Sequence, residues 1–226
     1  MTDRQDRPTL RRKPGWALRA IAECGAIVAG LLLSADAPAQ TVPGCGSLKN
    51  SFGPFDYRDP IARDEPLYLV EMAHFTPDVE NLVKGNTGYV EGDLDYTLRA
   101  FPNHHRALQS VARYFLRGGQ TWRNPAIPTA DCYFDRALVF TPDDGQVHLI
   151  YAGYLAKRGN ATGARKHYEA AIALDPDAPE AHYNYGLFLV DQGELDQARK
   201  QADIAYAGGY PLPGLRNKIR SAETSE

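Results

Sequence analysis

The chain carries no surplus of either charge: Lys and Arg number 25, Asp and Glu 28, and the net charge is −3. Nucleic acid as the main partner is thereby excluded, because no basic excess exists to neutralise phosphates. Cysteine is scarce and odd, three in 226 residues, which does not suit a disulfide framework. Neither an HExxH nor a CxxC spacing occurs, so the common zinc patterns are absent. No apolar run reaches membrane-spanning length. The longest candidate, between Glu23 and Asp36, has twelve uncharged residues, against the roughly 20 that a spanning helix needs. What remains is ordinary globular composition, 43% hydrophobic and 23% charged. Disordered and collagen-like chains are excluded, and the length suffices for a real core.

The first 39 residues read as an address. Arg4, Arg7, Arg11, Arg12, Lys13 and Arg19 precede the apolar stretch Cys24–Leu33, and Ala37-Pro38-Ala39 follows. A basic end, a short apolar middle and a small-residue Ala-x-Ala site together predict a secretory signal peptide cleaved after Ala39. An uncleaved anchor is too short, Arg11-Arg12 lacks the apolar sequel of a twin-arginine signal, and Ile21-Ala22-Glu23 before Cys24 is no lipobox. Cleavage would remove six of the 25 basic and four of the 28 acidic residues, moving the net charge from −3 to −5. It would also remove Cys24. The surviving pair, Cys45 and Cys132, is predicted to form one disulfide in an exported protein.

The C-terminal half repeats itself. Segment 145–178 lies over 179–212 at an offset of 34, so that His148 meets His182, Tyr151 meets Tyr185, Ala152 meets Gly186, Leu155 meets Leu189, Gly159 meets Gly193, Ala164 meets Ala198 and Ala171 meets Ala205. Each unit shows two apolar-periodic helices, about 146–157 and 162–174, then 180–191 and 196–207. Upstream, Ala130, Phe134, Ala137 and Pro142 continue the period. Leu108, Val111, Ala112, Phe115 and Gly119 supply an earlier first helix, and an insertion of about six residues holds Trp122–Pro128. Asp93–Pro102 reads as half a repeat, and Pro213–Ile219 as the start of a capping helix.

This pattern resembles the tetratricopeptide repeat, whose 34-residue unit places small and aromatic residues where two helices meet. His148 and His182 stand where Trp is usual, and Ala202 where an aromatic is usual. The segments FGPFDYRDP, GDLDYTLRAFPNHHRAL, CYFDRAL and PLPGLRNK are also similar to a group of exported bacterial tetratricopeptide proteins, a resemblance that carries no catalytic residues. The implied fold is all-α: a short right-handed solenoid of antiparallel helix pairs with an irregular N-terminal extension and a capping helix. The expected divisions are 1–39, 40–92, 93–212 and 213–226. Within 40–92, residues 43–62 read as loop, Asp64–His74 as helix or strand, and Thr76-Pro77-Asp78 as the start of a short helix.

In this family the first helices line a concave face that holds peptide segments. The resemblance therefore points to Arg106, Gln109, Arg113, Arg117, Gln146, Leu149, Tyr183, Leu187 and Val190 as a groove. The implied partner is a protein segment, acidic near Arg113 and apolar near Leu187. The basic-and-Asn carboxylate clamp of some relatives is not reproduced. No catalytic residue, metal or cofactor is implied. The alternative is an exported enzyme or glycan-binding protein using His74, His104 and His105 between the N-terminal segment and the repeats. Adjacent histidines on a helix point about 100° apart, which disfavours it. Asp93/Asp95 and Asp143/Asp144 read as helix-start and turn residues.

Overall fold

The computed structural model describes residues 41–117 and 122–224, all within the compact unit Ala37–Glu226. The predicted signal peptide and Gly119 lie outside the described residues. The chain opens with a small antiparallel hairpin, β1 (Thr41–Val42) and β2 (Gly46–Ser47). Three short helices follow: α1 (Pro60–Asp64), α2 (Pro66–His74) and α3 (Pro77–Glu80). Each has Pro in its first turn, where the missing N–H costs nothing. The extension is thus partly helical. The 43–62 loop is shorter than expected at both ends, because Gly46 joins a strand and the Asp59 carboxylate caps Ile61 N at 2.9 Å to start α1. Thr76 precedes α3 as predicted, but its side chain makes no cap bond.

The solenoid follows as α4 (Val90–Ala100), α5 (His105–Leu116), α6 (Ala130–Phe140), α7 (Gly145–Lys157), α8 (Ala161–Leu174), α9 (Pro179–Asp191), α10 (Leu195–Ala207) and the cap α11 (Gly214–Glu223). The closest neighbours are α7 with α8 and α9 with α10, and α5 packs across to α7. The turns between paired helices end at Gly159 and Gly193, both at positive φ, a left-handed position that favours glycine. Between the helices, Ala164, Ala171, Ala198 and Ala205 are buried, and their small side chains let the axes approach. Gly186 does the same for the cap. A Cβ there would stand 2.5 Å from Leu215 Cδ2, so the glycine leaves room for the fully buried Leu215.

One continuous core runs from Phe75 to Ile219. A satellite core beneath the extension gathers Ala62, Leu67, Val70, Ala100 and Phe101, with Phe52, Phe55, Tyr57 and Tyr96 against it. The Cys45–Cys132 disulfide fastens the hairpin to α6, with the Cα atoms 5.3 Å apart. Beside it Arg136, 4% exposed, donates from Nη1 to the carbonyls of Cys45 (3.2 Å) and Ser47 (2.8 Å). Among the described residues, no helix is long and apolar enough to cross a membrane.

Candidate partner-binding groove

The first helices of the repeats, α5, α7 and α9, present one face each to a shared cavity of about 690 Å³, which Lys218 of α11 also lines. Gln109, Ala112, Arg113 and Leu116 recur at helical spacing on α5, as do Gln146, Leu149, Ile150, Gly153 and Lys157 on α7. From α9 come Glu180, Asn184, Leu187, Phe188 and Asp191. The 34-residue period carries each position onto the next helix: Gln146 corresponds to Glu180, Gly153 to Leu187, and Lys157 to Asp191. The floor is apolar and the edges are charged. Lys218 Nζ stands 2.6 Å from Asp191 Oδ1, so the cation at the α11 end is already paired.

Of the residues named from the sequence, Gln109, Arg113, Gln146, Leu149 and Leu187 line this cavity, whereas Arg106, Arg117, Tyr183 and Val190 do not. Arg106 is corrected most clearly. Its guanidinium donates to Glu80 Oε1 (2.9 Å) and Glu71 Oε1 (3.3 Å) and lies 5.3 Å above the Phe75 ring, which staples α2 and α3 onto α5. These partners come from the extension, which repeat logic does not include. Tyr183 faces away, its ring 4.2 Å from that of Tyr210 and its hydroxyl against Gly214 at the root of α11. Val190 packs on the core, and Arg117 caps the C-terminus of α5. Arg113 is exposed at the cavity edge and donates to the Glu80 carbonyl and to Ser110 Oγ. Ile150, Asn184, Phe188 and Lys218 were missed. Asn184 and Phe188 lie one period after Ile150 and Tyr154, which were not named from the sequence either, so the period alone did not reach them.

The histidines do not converge on one point. His74 Nδ1 lies 2.9 Å from Asp93, His104 Nε2 3.0 Å from Glu71, and His105 Nε2 2.9 Å from Asp144. His104 is the N-cap of α5: its Nδ1 accepts from Ala107 N at 3.1 Å, so its proton resides on Nε2 and is donated to Glu71. Burial lowers the His104 pKa despite that carboxylate. The hydrogen bond from His104 in turn holds Glu71 below its ordinary value. Burial alone would raise Asp144, but His105 and Asn103 outweigh it and its pKa is lowered. Asp144 also caps α7 through Gln146 N and Val147 N. Asp93, expected as a helix-start acid, lies in the first turn of α4, is fully buried and accepts from Asn86 N, Thr87 N, Thr87 Oγ1 and His74. Among the described residues, no three His, Cys, Asp or Glu side chains gather as metal ligands.

Stacked helix pairs that line one shared cavity define an all-α repeat architecture. Residues 155–193 match the family model for the TPR repeat, spanning the end of α7, all of α8 and all of α9. Residues 155–193 thus carry a TPR repeat, and repeats of this kind generally serve protein–protein interaction rather than catalysis. No curated protein matches the chain.

Proposed function

We propose that this chain is an exported scaffold of the bacterial cell envelope. Its groove between α5, α7, α9 and α11 seats an extended or helical segment of another protein, acidic toward Arg113 and apolar at Leu187. The observation that carries this reading is the continuous cavity of about 690 Å³ to which every first helix contributes the same face. Export draws support from the Ala37-Pro38-Ala39 site and from the Cys45–Cys132 bond, which an oxidising compartment preserves. The histidine region supports the scaffold reading over an enzyme or glycan site. His104 is closed off inside the molecule, and each imidazole is engaged by its own carboxylate.

Two measurements test this. N-terminal sequencing of protein from the extracytoplasmic fraction is expected to begin at Gln40. A photo-crosslinking residue at Gln146, inside the groove, is expected to capture a partner that the same residue at Ile204 on α10 does not. Arg113→Glu combined with Leu187→Asp should abolish that adduct. An undiminished adduct in the double variant would refute the groove.

A further inference from the structure

We propose that a second cavity, between the 83–91 segment and α5, binds a primary alkylammonium group with the Glu91 carboxylate as its counter-charge and the rings of Tyr89 and Tyr114 as its walls. This cavity is about 590 Å³ and includes Glu91, Tyr89, Tyr114, Lys84 and Arg123 in its lining. It lies outside the groove assigned to a protein segment and shares no lining residue with it.

Glu91 is the unusual feature. Its side chain belongs to the first turn of α4 and is 6% exposed, yet Oε1 receives no hydrogen bond. Buried carboxylate oxygens in folded proteins are ordinarily met by a donor, so this one calls for a ligand or a partner. The wall that holds it is fixed. The loop before α4 hangs on the fully buried Asp93, which accepts the N–H groups of Asn86 and Thr87.

Three observations select a compact cation. First, an ammonium is a compact point charge that can turn any one of its three N–H donors to a single oxygen, whereas the planar fork of a guanidinium seeks two acceptors side by side. Second, aromatic faces attract cations, and Arg123 already rests 4.7 Å above the Tyr89 ring on the same cavity. Third, the lysine of the cavity does not serve Glu91, since Lys84 Nζ lies 3.3 Å from Asp78. The ammonium could belong to a free amine or to a lysine of a polypeptide, and the chemistry at Glu91 is the same.

Trp122 stacks on Tyr114 with ring centroids 4.2 Å apart, so its fluorescence reports on the cavity. The chain has two tryptophans, and Trp16→Phe leaves Trp122 as the only reporter. The full chain with that change is titrated at constant ionic strength with n-butylammonium chloride and, in parallel, with n-butanol. Saturable binding of the amine with a Kd on the order of millimolar is expected, as is binding of the alcohol at least about tenfold weaker. Glu91→Gln keeps the shape and should weaken the amine about tenfold or more. If that variant fails to fold, Tyr89→Ala, at an exposed ring, should weaken it as well. The capped tripeptide acetyl-Gly-Lys-Gly-amide separates the sources: tighter binding than butylammonium assigns a polypeptide lysine, and weaker or equal binding a free amine. Absence of saturation, equal binding of the alcohol, or an unchanged Kd in a folded Glu91→Gln protein overturns the proposal.

Discussion

His148 and His167 face each other across one repeat, Nδ1 to Nδ1 at 2.9 Å, and the equivalent pair one period later is His182 with Gln201, at 2.6 Å. His182 Nε2 also donates to the Pro176 carbonyl at 2.8 Å. In both units a histidine thus hydrogen-bonds to the second helix, and His182 ties the inter-repeat turn to it as well.

This pair makes the fold sensitive to acid. Burial, aided by His148 and Lys166, lowers the His167 pKa from 6.5 to about 4. The folded state therefore favours the neutral ring, and its contribution is complete above pH 6.5 and lost as pH falls toward 4. A loss on the order of 1–3 kcal/mol is expected over that window, read as a falling urea midpoint. His104, also lowered by burial, falls in the same direction. His167→Gln, which copies the Gln201 arrangement, should flatten part of the curve between pH 6.5 and 4; an unchanged slope would exclude His167 as its source.

Leu215 and Gly186 are predicted to be energetically coupled. Leu215→Ala removes a fully buried side chain and should cost about 2–4 kcal/mol. Gly186→Ala alone sets a Cβ against Leu215 and should destabilise. In the Leu215→Ala background the same change should turn neutral or stabilising, because alanine favours the helix over glycine by about 1 kcal/mol. A double-mutant cycle in denaturant measures the coupling, and additivity would disprove the contact.

Loss of the disulfide should be felt at the hairpin first. Closing a loop across 87 positions is worth roughly 4–5 kcal/mol in the chain-entropy model. The double substitution Cys45→Ala with Cys132→Ala should lower the melting temperature and speed hydrogen exchange around 41–47. The repeats α7 to α10 should keep their protection.

Asp93→Asn should cost about 2–4 kcal/mol, since it removes a buried charge that satisfies Asn86 N, Thr87 and His74. Amide exchange at 85–89 should rise with it. Burial raises the Asp93 pKa, but these donors outweigh it and hold the carboxyl low, so its stabilisation is present at neutral pH and lost in acid.

The repeat architecture was open to view in the sequence because each tetratricopeptide unit is local. Its two helices and turn lie within 34 residues, and small residues at Ala164, Ala171, Ala198 and Ala205 mark where axes must meet. The helix limits and the turn glycines followed from that period. The disulfide was legible from the expected compartment and from parity, since assigning Cys24 to the predicted signal peptide leaves Cys45 and Cys132.

Only the tertiary structure decided which side chains the groove keeps. Arg106 and Arg113 share one helix, seven residues apart, yet the Glu71 and Glu80 carboxylates of an extension that no repeat rule describes draw Arg106 out of the groove, while Arg113, which meets only the Glu80 carbonyl there, still lines the cavity edge. The same holds for His74, His104 and His105, whose carboxylate partners lie 19 to 39 positions away. Period and composition specify a helix and its buried face. The pairing of charges across distant segments depends on where the whole chain brings them, and that is settled only when the N-terminal extension packs onto the solenoid.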